Sequence, residues 1–488
     1  GIKNTFADET EEKRILLRIQ NNIATKIDVD YVQSFVLNEL IEKIKKQVST
    51  EKDNRTAVMI EEILIKDISR IINRSTLNKI PCETITFLRD TKDSSFFFFK
   101  NDFVEVSKNG TVLKDYSELL GYIWKSQIIQ HDFAPMDMMI KEDLSKIQNF
   151  DFVKWTQRIC SIKGINKETN EIIPELDPLR YNALKHIIGY GLHDYIAIEK
   201  VFAVVLTEAN IDGSPEGRTG KGLLLQALQT LRKKSRVDGK TAKPNSQFFL
   251  QNVEMDTKIL HIDDIRKDFN FEQLFGLISE GFSVEKKNQP RYNLSPEKSP
   301  KVFITCNYAV KGISGSFKAR IYDMELLCYY NSDYTPLCEF KKPFLKEVWT
   351  PEEWNLFYNF MFFCQREYFL NNCVVPKYPT DTVEYKKLLG STNEEFIKYA
   401  EKLELNTELP KRDVYDEFLR YSGFTERDIK IGEFKGWIKH FCSYKKLQYK
   451  EKINSDSKDC HILIDEKQAG KSGEKWKKAK NQASNLFN

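Results

Sequence analysis

Lys221 closes a glycine-bearing loop, Gly213 to Gly220, that follows the apolar run Val201 to Leu206 and precedes the helical run GLLLQALQTLRK. That order is the physical recipe for a phosphate cradle. Glycines let successive backbone N–H groups turn inward, a helix start adds partial positive charge, and a lysine adds a full one. The pattern G-x-x-x-x-G-K-[ST] is met only in part. Pro215 stands where the first glycine belongs, and Gly222 stands where a magnesium-binding hydroxyl belongs. The candidate nucleotide contacts are Gly217, Arg218, Thr219, Gly220, Lys221, Gly222 and Leu223. Taken alone, the loop reads equally well as a glycine turn capped by a surface lysine.

Further along, KILHIDD ends in Asp263 and Asp264. Open α/β sheets bind ligands beyond the C-terminal ends of their strands. One carboxylate there can hold magnesium, and the other can orient or deprotonate an attacking water. Asp263 is assigned to the metal and Asp264 to the water. KVFITCN ends in Asn307, whose neutral amide can hydrogen-bond a γ-phosphate without adding repulsion; strand-end asparagines also serve simply as turn formers. Arg320, in GSFKARIYDMEL, suits an arginine finger reaching a neighbouring subunit's phosphate, with a surface ion pair as the plain alternative. Such fingers are worth roughly 10³–10⁵ in rate. Between the acidic pair and Asn307, EGFSVEKKNQPRYNLSPEKSPK carries Lys286, Lys287 and Arg291 beside a turn at Asn288–Pro290. A basic hairpin of this kind suits a nucleic-acid backbone; solvated loop charges are the bland reading.

The elements that must position these residues follow from periodicity. VFAVVL, KILHID and KVFITCN are short apolar runs bounded by polar loops, as buried parallel strands are. The segments between them are long enough for helical crossovers on both sheet faces. Ahead of this block, residues 10–75 read as helical, with one stripe at Leu16, Leu17, Ile19 and Ile23 and another at Phe35, Leu37, Leu40, Ile41 and Ile44. Residues 95–117 change period and read as three short strands, with turns at Lys100–Asp102 and Lys108–Gly110. Their four consecutive phenylalanines read as sheet core rather than a base-stacking platform. Residues 150–200 return to helix, with a joint at Pro174 and Pro178, and His186 and His193 read as structural. After an aromatic helix in 350–395, residues 396–465 hold three helices and two strand-like pieces, the pattern of a winged helix. Phe434, Trp437, Ile438 and Phe441 share one face of its third helix. The lysine-rich tail from Lys467 reads as disordered.

The expected division is a helical region (1–90), a small β-containing region (91–149), a helical domain before the core (150–199), the core (200–345), a helical connector (346–394), the winged helix (395–466) and a basic tail (467–488). Composition bounds the partners weakly. The 75 basic and 71 acidic residues leave a net charge of +4, so any nucleic-acid contact must come from local patches. Nine cysteines without a C-x-x-C pair argue against zinc and for a reducing compartment such as the cytoplasm. No apolar run approaches the ~20 residues of a membrane span. The first residue is Gly rather than Met, which points to a scar or cleavage point with sequence upstream.

Phosphate loop, acidic pair, basic hairpin, strand-ending Asn307 and Arg320 come in an order that resembles the superfamily 3 helicases. These are the AAA+ group of small DNA viruses, poxviruses, phages and plasmids, and the likeness is strongest to primase–helicases of phages and mobile elements. YNALKHIIGYGLHDY is similar to the helix preceding the ATPase core of that family, and VDGKTAKPNSQFFLQNVEMDTKILHIDD to its approach to the acidic motif. The resemblance covers residues 150–465. It implies an α/β AAA+ P-loop core that uses ATP and Mg²⁺ as a homo-oligomeric ring, a hexamer, on single-stranded or forked DNA, with a primase or other replication proteins as partners. It implies Lys221 on the β- and γ-phosphates, Asp263 on magnesium, Asp264 on water, Asn307 as γ-phosphate sensor, Arg320 acting in trans, and Lys286 and Lys287 in a pore hairpin. Two departures, Gly222 and an Asp-Asp rather than Asp-Glu pair, keep a second reading open: a nucleotide-assembled initiator or loader with little turnover. A third is an AAA+ machine acting on protein. Lys435, Lys439, Lys445 and Lys446 suit the winged helix to duplex DNA, or it docks a protein.

Overall fold

The computed structural model describes residues 2–6, 14–47, 50–137, 140–165, 172–209, 217–241, 243–244, 246–266, 269–287, 291–307, 319–379, 385, 388–453 and 460–466. The chain divides into two compact units, residues 1–307 with 313–379, and residues 308–312 with 380–488.

The first unit is built on five strands, β1 (Ala203–Glu208), β2 (Lys234–Asp238), β3 (Ile259–Asp263), β4 (Lys301–Thr305) and β5 (Ile321–Leu326). Every pairing among them is parallel, and the order across the sheet is β2-β3-β4-β1-β5. β1 and β4 are buried along their whole length, as strands covered on both faces must be. β2 and β5 lie at the two edges. They are more polar, and no apolar run announces them in the sequence.

Two long helices pack against each other beside this sheet. Pro178–Leu192 starts with Asp177 accepting from the N–H groups of Leu179 and Arg180, and with proline at its first position. Pro351–Leu370 starts with a Thr350–Glu353 capping box. Their aromatic and aliphatic faces join one core that includes Trp155, Phe152, Leu184, Phe303, Phe357 and Phe362. The Pro351–Leu370 helix, expected as a connector, is thus part of the first unit's core.

Ser94–Phe99, Phe103–Ser107 and Gly110–Lys114 form an antiparallel meander. Phe97 and Phe99 from it enter the same core, so these rings are packing residues. A buried ionic joint ties this sheet to the central one. Arg232 donates to Asp90 at 2.6 Å, to the Leu192 carbonyl at 2.6 Å and to the Phe96 carbonyl at 3.0 Å, and lies over the Phe97 ring. Beside it, Asp194 receives Arg89 and Lys258. Burial alone would push the Asp194 carboxyl up, but those cations and Arg232 outweigh it and hold the group well below the usual carboxylate range.

Residues 14–27 depart from the helical expectation. Arg14–Gln20 and Ile23–Ile27 are antiparallel strands joined by Asn21–Asn22, both with positive φ. Asparagine tolerates that backbone, and a two-residue turn with φ > 0 at both positions is a standard hairpin connection. Both faces of the first strand are covered, Ile15, Leu17 and Ile19 in one cluster and Leu16 in another. The resulting apolar cluster, interrupted only by Arg18, imitates a helical stripe. Helices do follow at Val29–Phe35, Ile41–Gln47 and Glu51–Ile71. Within 150–200, an antiparallel pair, Ser161–Ile165 and Ile172–Leu176, interrupts the helices, and Pro174 lies inside its second strand.

His186 and His193 are packing residues, bonded to the carbonyls of Asn182 and Thr91. Burial, with Lys301 nearby, pushes His193 down to about 4, and burial does the same to His261. Native protein keeps both rings neutral while the unfolded chain protonates them below about 6.5. Their stabilising contribution is therefore present above pH 6.5 and is lost as pH falls towards 4. Each contributes a slope of about 1.4 kcal/mol per pH unit in that window. Urea-unfolding midpoints measured between pH 7.5 and 5 are expected to fall, and the fall should shrink in His193→Gln.

The second unit holds helices Glu394–Ala400, Lys411–Ser422 and Ile431–Lys445. Strands Leu447–Ile453 and Cys460–Glu466 pair antiparallel, and Glu408–Pro410 adds a third strand absent from the sequence reading. Phe396, Phe418, Phe434, Ile438 and Phe441 are its core, with Trp437 packed at the side. The tail from 467 lies outside the described residues, as do Gly213, Pro215 and Asn288–Pro290.

Candidate functional site

The C-terminal edge of the central sheet collects the charged residues. β1 ends on Glu208, only 1% exposed although ionisable. Where the chain is next described, Gly217, Arg218 and Gly220 have φ of 67°, 59° and 102°. Three left-handed residues in four wind the backbone tightly into the helix Lys221–Gln229, whose first N–H groups are free to face a ligand. Thr219 is buried within this turn.

Lys221 Nζ donates to Glu208 Oε2 at 3.1 Å and to Asn307 Oδ1 at 2.8 Å. Thr219 Oγ1 lies 3.5 Å from the same Glu208 oxygen. Lys221 and Asn307, distant in sequence, therefore meet. Glu208 joins them and was missed by the sequence reading. A charged residue ending an otherwise apolar strand one loop before the lysine was the available signal. Around Gly222 a methyl group would meet nothing within 4 Å, so the space beside the helix start is open. Leu223 packs its side chain on the core, which leaves only its backbone for a ligand. Arg218 reaches the Ser332 carbonyl at 3.4 Å.

Asp263 and Asp264 lie at the end of β3, which is separated from β1 by β4 alone. Two strand spacings amount to about 10 Å. Thr305, the last residue of β4, organises the pair: its hydroxyl donates to Asp263 Oδ1 at 2.7 Å and accepts from the Asp264 N–H at 2.9 Å. Asp264 is left-handed, with φ of 54°. Arg236 of β2 reaches Asp263 Oδ2 through Nε at 2.9 Å and Nη2 at 2.7 Å. Lys240 Nζ is 2.6 Å from Asp264 Oδ2. Burial works to raise Asp263, but the Thr305 and Arg236 hydrogen bonds prevail and hold it below the usual carboxylate range.

Gly239 fixes the acidic pair from the other side. Its N–H donates to the Asp263 carbonyl at 2.6 Å, and an added Cβ would stand 2.6 Å from that oxygen and 2.8 Å from Ile265 Cα. Both are backbone atoms that cannot swing aside. Gly239→Ala is expected to displace Asp263 and cost about 1–3 kcal/mol, read as a lower denaturation midpoint.

The other sequence candidates stand elsewhere. Ile321 pairs with Ala203, five residues before Glu208, so Arg320 sits at the opposite edge of the sheet, about 17 Å along the strand direction. There its Nε donates to Ser279 Oγ at 3.1 Å and its guanidinium lies 5.3 Å from the Phe275 ring. Within one chain, therefore, Arg320 is not part of the Lys221 cluster. Phe282–Val284 and Tyr292–Leu294 pair antiparallel, with Phe282, Val284, Tyr292 and Leu294 buried. Of the basic residues on this hairpin, Lys287 is exposed, Lys286 is paired with Glu254, and Arg291 donates to Ser283.

Two carboxylates and a threonine hydroxyl are hard oxygen donors of the kind magnesium takes, completed by water and phosphate oxygens rather than by an all-protein cage. Among the described residues no group of three or more His, Cys, Asp or Glu forms such a cage. The donor set therefore fits a magnesium ion that arrives with phosphate. The arrangement as a whole joins a cation at a helix start, a neutral amide beside it, and a carboxylate pair across one strand. It can bind a phosphorylated anion and a divalent cation together.

The first unit is an α/β domain with its charged cluster at the C-terminal edge of a parallel sheet. No protein-family model matches the chain, and no curated protein matches it. Among solved structures it is similar to the NrS-1 C-terminal region at 14% identity, covering 95% of this chain and 97% of that one, with a TM-score of 0.38. It is similar to JCV helicase at 14% identity, covering 53% and 71%, with a TM-score of 0.23. It is also similar to a full-length MCM homolog from Methanopyrus kandleri at 9% identity, covering 72% and 74%, with a TM-score of 0.23. Likenesses this distant assign no function. Among the described residues no helix is long and apolar enough to cross a membrane.

Proposed function

We propose that this chain is an ATP-dependent DNA helicase or translocase with an AAA+ core of the superfamily 3 kind, working as a ring on single-stranded DNA during replication of a phage or mobile element. The observation that carries this reading is the meeting of Lys221 and Asn307 at a left-handed turn and helix start, with Asp263 and Asp264 two strands away. Lys221 and the N–H groups from Gly217 to Leu223 bind the triphosphate, and Asn307 holds its γ-phosphate end. Asp263 holds the magnesium ion, which when bound neutralises charge on the phosphates. Asp264, more open to solvent, directs the attacking water. Arg320 on the far edge of the sheet serves a neighbouring subunit, and Lys287 and Arg291 meet the DNA backbone. Phosphate contacts carry no sequence information, so tracking is sequence-tolerant and salt-sensitive. The second unit, three helices and a small sheet, acts as a winged helix at the duplex entrance.

A strand-displacement assay with ATP at several salt concentrations, beside a mass measurement with and without nucleotide, tests this reading. ATP-dependent displacement that weakens with salt, on an oligomer, is the expected result. The open space at Gly222 favours one alternative, a nucleotide-assembled initiator or loader. ATP binding and assembly without turnover, even with DNA, would select it.

A further inference from the structure

Three ion pairs line the C-terminal edge of the sheet among the described residues. Lys221 faces Glu208, Asp263 faces Arg236, and Asp264 faces Lys240. The last two pairs share a source. Arg236 lies on β2 and Lys240 just beyond it, and their side chains are 62% and 64% exposed. Both Arg236 nitrogens converge on one oxygen of Asp263 while Thr305 holds the other, so the carboxylate is clamped from two sides.

We propose that Arg236 and Lys240 are positioning residues that stand in for the divalent cation at Asp263 and Asp264 until metal and phosphate arrive together, and so set how much metal the site requires. The proposal rests on the nucleotide-binding reading above. Its physics is a charge count. Two carboxylates with two cations are neutral, so a lone divalent ion gains little by entering. A divalent ion that arrives with a triphosphate brings the anion that compensates the displaced Arg236 and Lys240. Because both pairs face solvent, each is weak enough to exchange. Metal and nucleotide therefore bind with positive coupling, and neither cation needs to leave the site: each can turn from carboxylate to phosphate.

Removing the stand-in cations exposes the carboxylates to metal. Exposed pairs of this kind are worth up to about 1 kcal/mol each, so Arg236→Gln with Lys240→Gln is expected to tighten Mn²⁺ binding to nucleotide-free protein severalfold, up to roughly thirtyfold, followed by Mn²⁺ paramagnetic resonance. The Mg²⁺ midpoint for binding of a fluorescent ATP analogue should fall in parallel, while Arg236→Lys should stay close to the parent. Unchanged or weaker Mn²⁺ binding in the folded double variant overturns the proposal. If the double variant does not fold, Lys240→Gln alone, on an exposed side chain, gives the same reading at smaller amplitude. Wild-type protein that binds no ATP analogue at any Mg²⁺ concentration defeats the nucleotide-binding reading instead. The Mn²⁺ comparison still judges the clamp by itself.

Discussion

Lys221→Met is expected to abolish nucleotide binding and, separately, to loosen the fold around β1. Hydrogen bonds from a charged donor are worth about 1.5–3 kcal/mol each. If the ammonium makes the two phosphate contacts proposed for it, losing them should cost roughly 100-fold or more in affinity, and the proposed strand displacement with it. The second effect comes from Glu208, which the substitution deprives of the cation 3.1 Å away while it remains buried. Removing one member of a buried pair costs about 3 kcal/mol or more. Glu208→Gln in the same chain removes that buried charge. The double variant should regain most of the lost unfolding midpoint and none of the ATP binding. Thermal melts beside equilibrium binding of a fluorescent ATP analogue separate the two effects. Full nucleotide affinity in Lys221→Met would refute the site assignment, whatever its stability.

Arg232→Ala should be the most damaging substitution away from that site. The guanidinium is 5% exposed and binds a carboxylate that is itself 2% exposed. It also satisfies the carbonyls of Leu192 and Phe96 and covers the Phe97 ring. Alanine would leave the Asp90 charge, which also accepts from the N–H groups of Phe96 and Asp194, without its countercharge. The expected loss is about 3–5 kcal/mol, measured by urea denaturation. Arg55→Ala, which breaks the exposed pair with Glu51, should be nearly silent by comparison. Equal effects from the two substitutions would show that the buried joint contributes nothing special.

Much of the central sheet could be read from residues alone, because strands covered on both faces must be apolar throughout. VFAVVL, KILHID and KVFITCN come close to that condition, each carrying an apolar stretch broken only by a few polar residues such as His261, Lys301 and Thr305. β2 and β5 do not, since edge strands carry polar residues such as Lys234, Arg236 and Asp323, and periodicity is silent there. The same silence hid Arg236 and Lys240, whose partners are set by strand pairing and not by spacing. Glu208 was hidden differently: a carboxylate at the end of an apolar strand reads as the start of a solvated loop, and only the fold shows it buried against Lys221. The strand Arg14–Gln20 failed in the opposite sense. Its two covered faces erased the alternation that marks a strand, and the Asn21–Asn22 turn was the one surviving cue.

The buried joint around Arg232 also bears on mechanics. A hinge needs an interface that can part cheaply, and this one would have to drag bare charges into an apolar gap each time it opened. The sheet carrying Phe96 to Phe99 must therefore travel as cargo on the same chassis as β1 to β5. Any flexing of the first unit has to be sought at another seam.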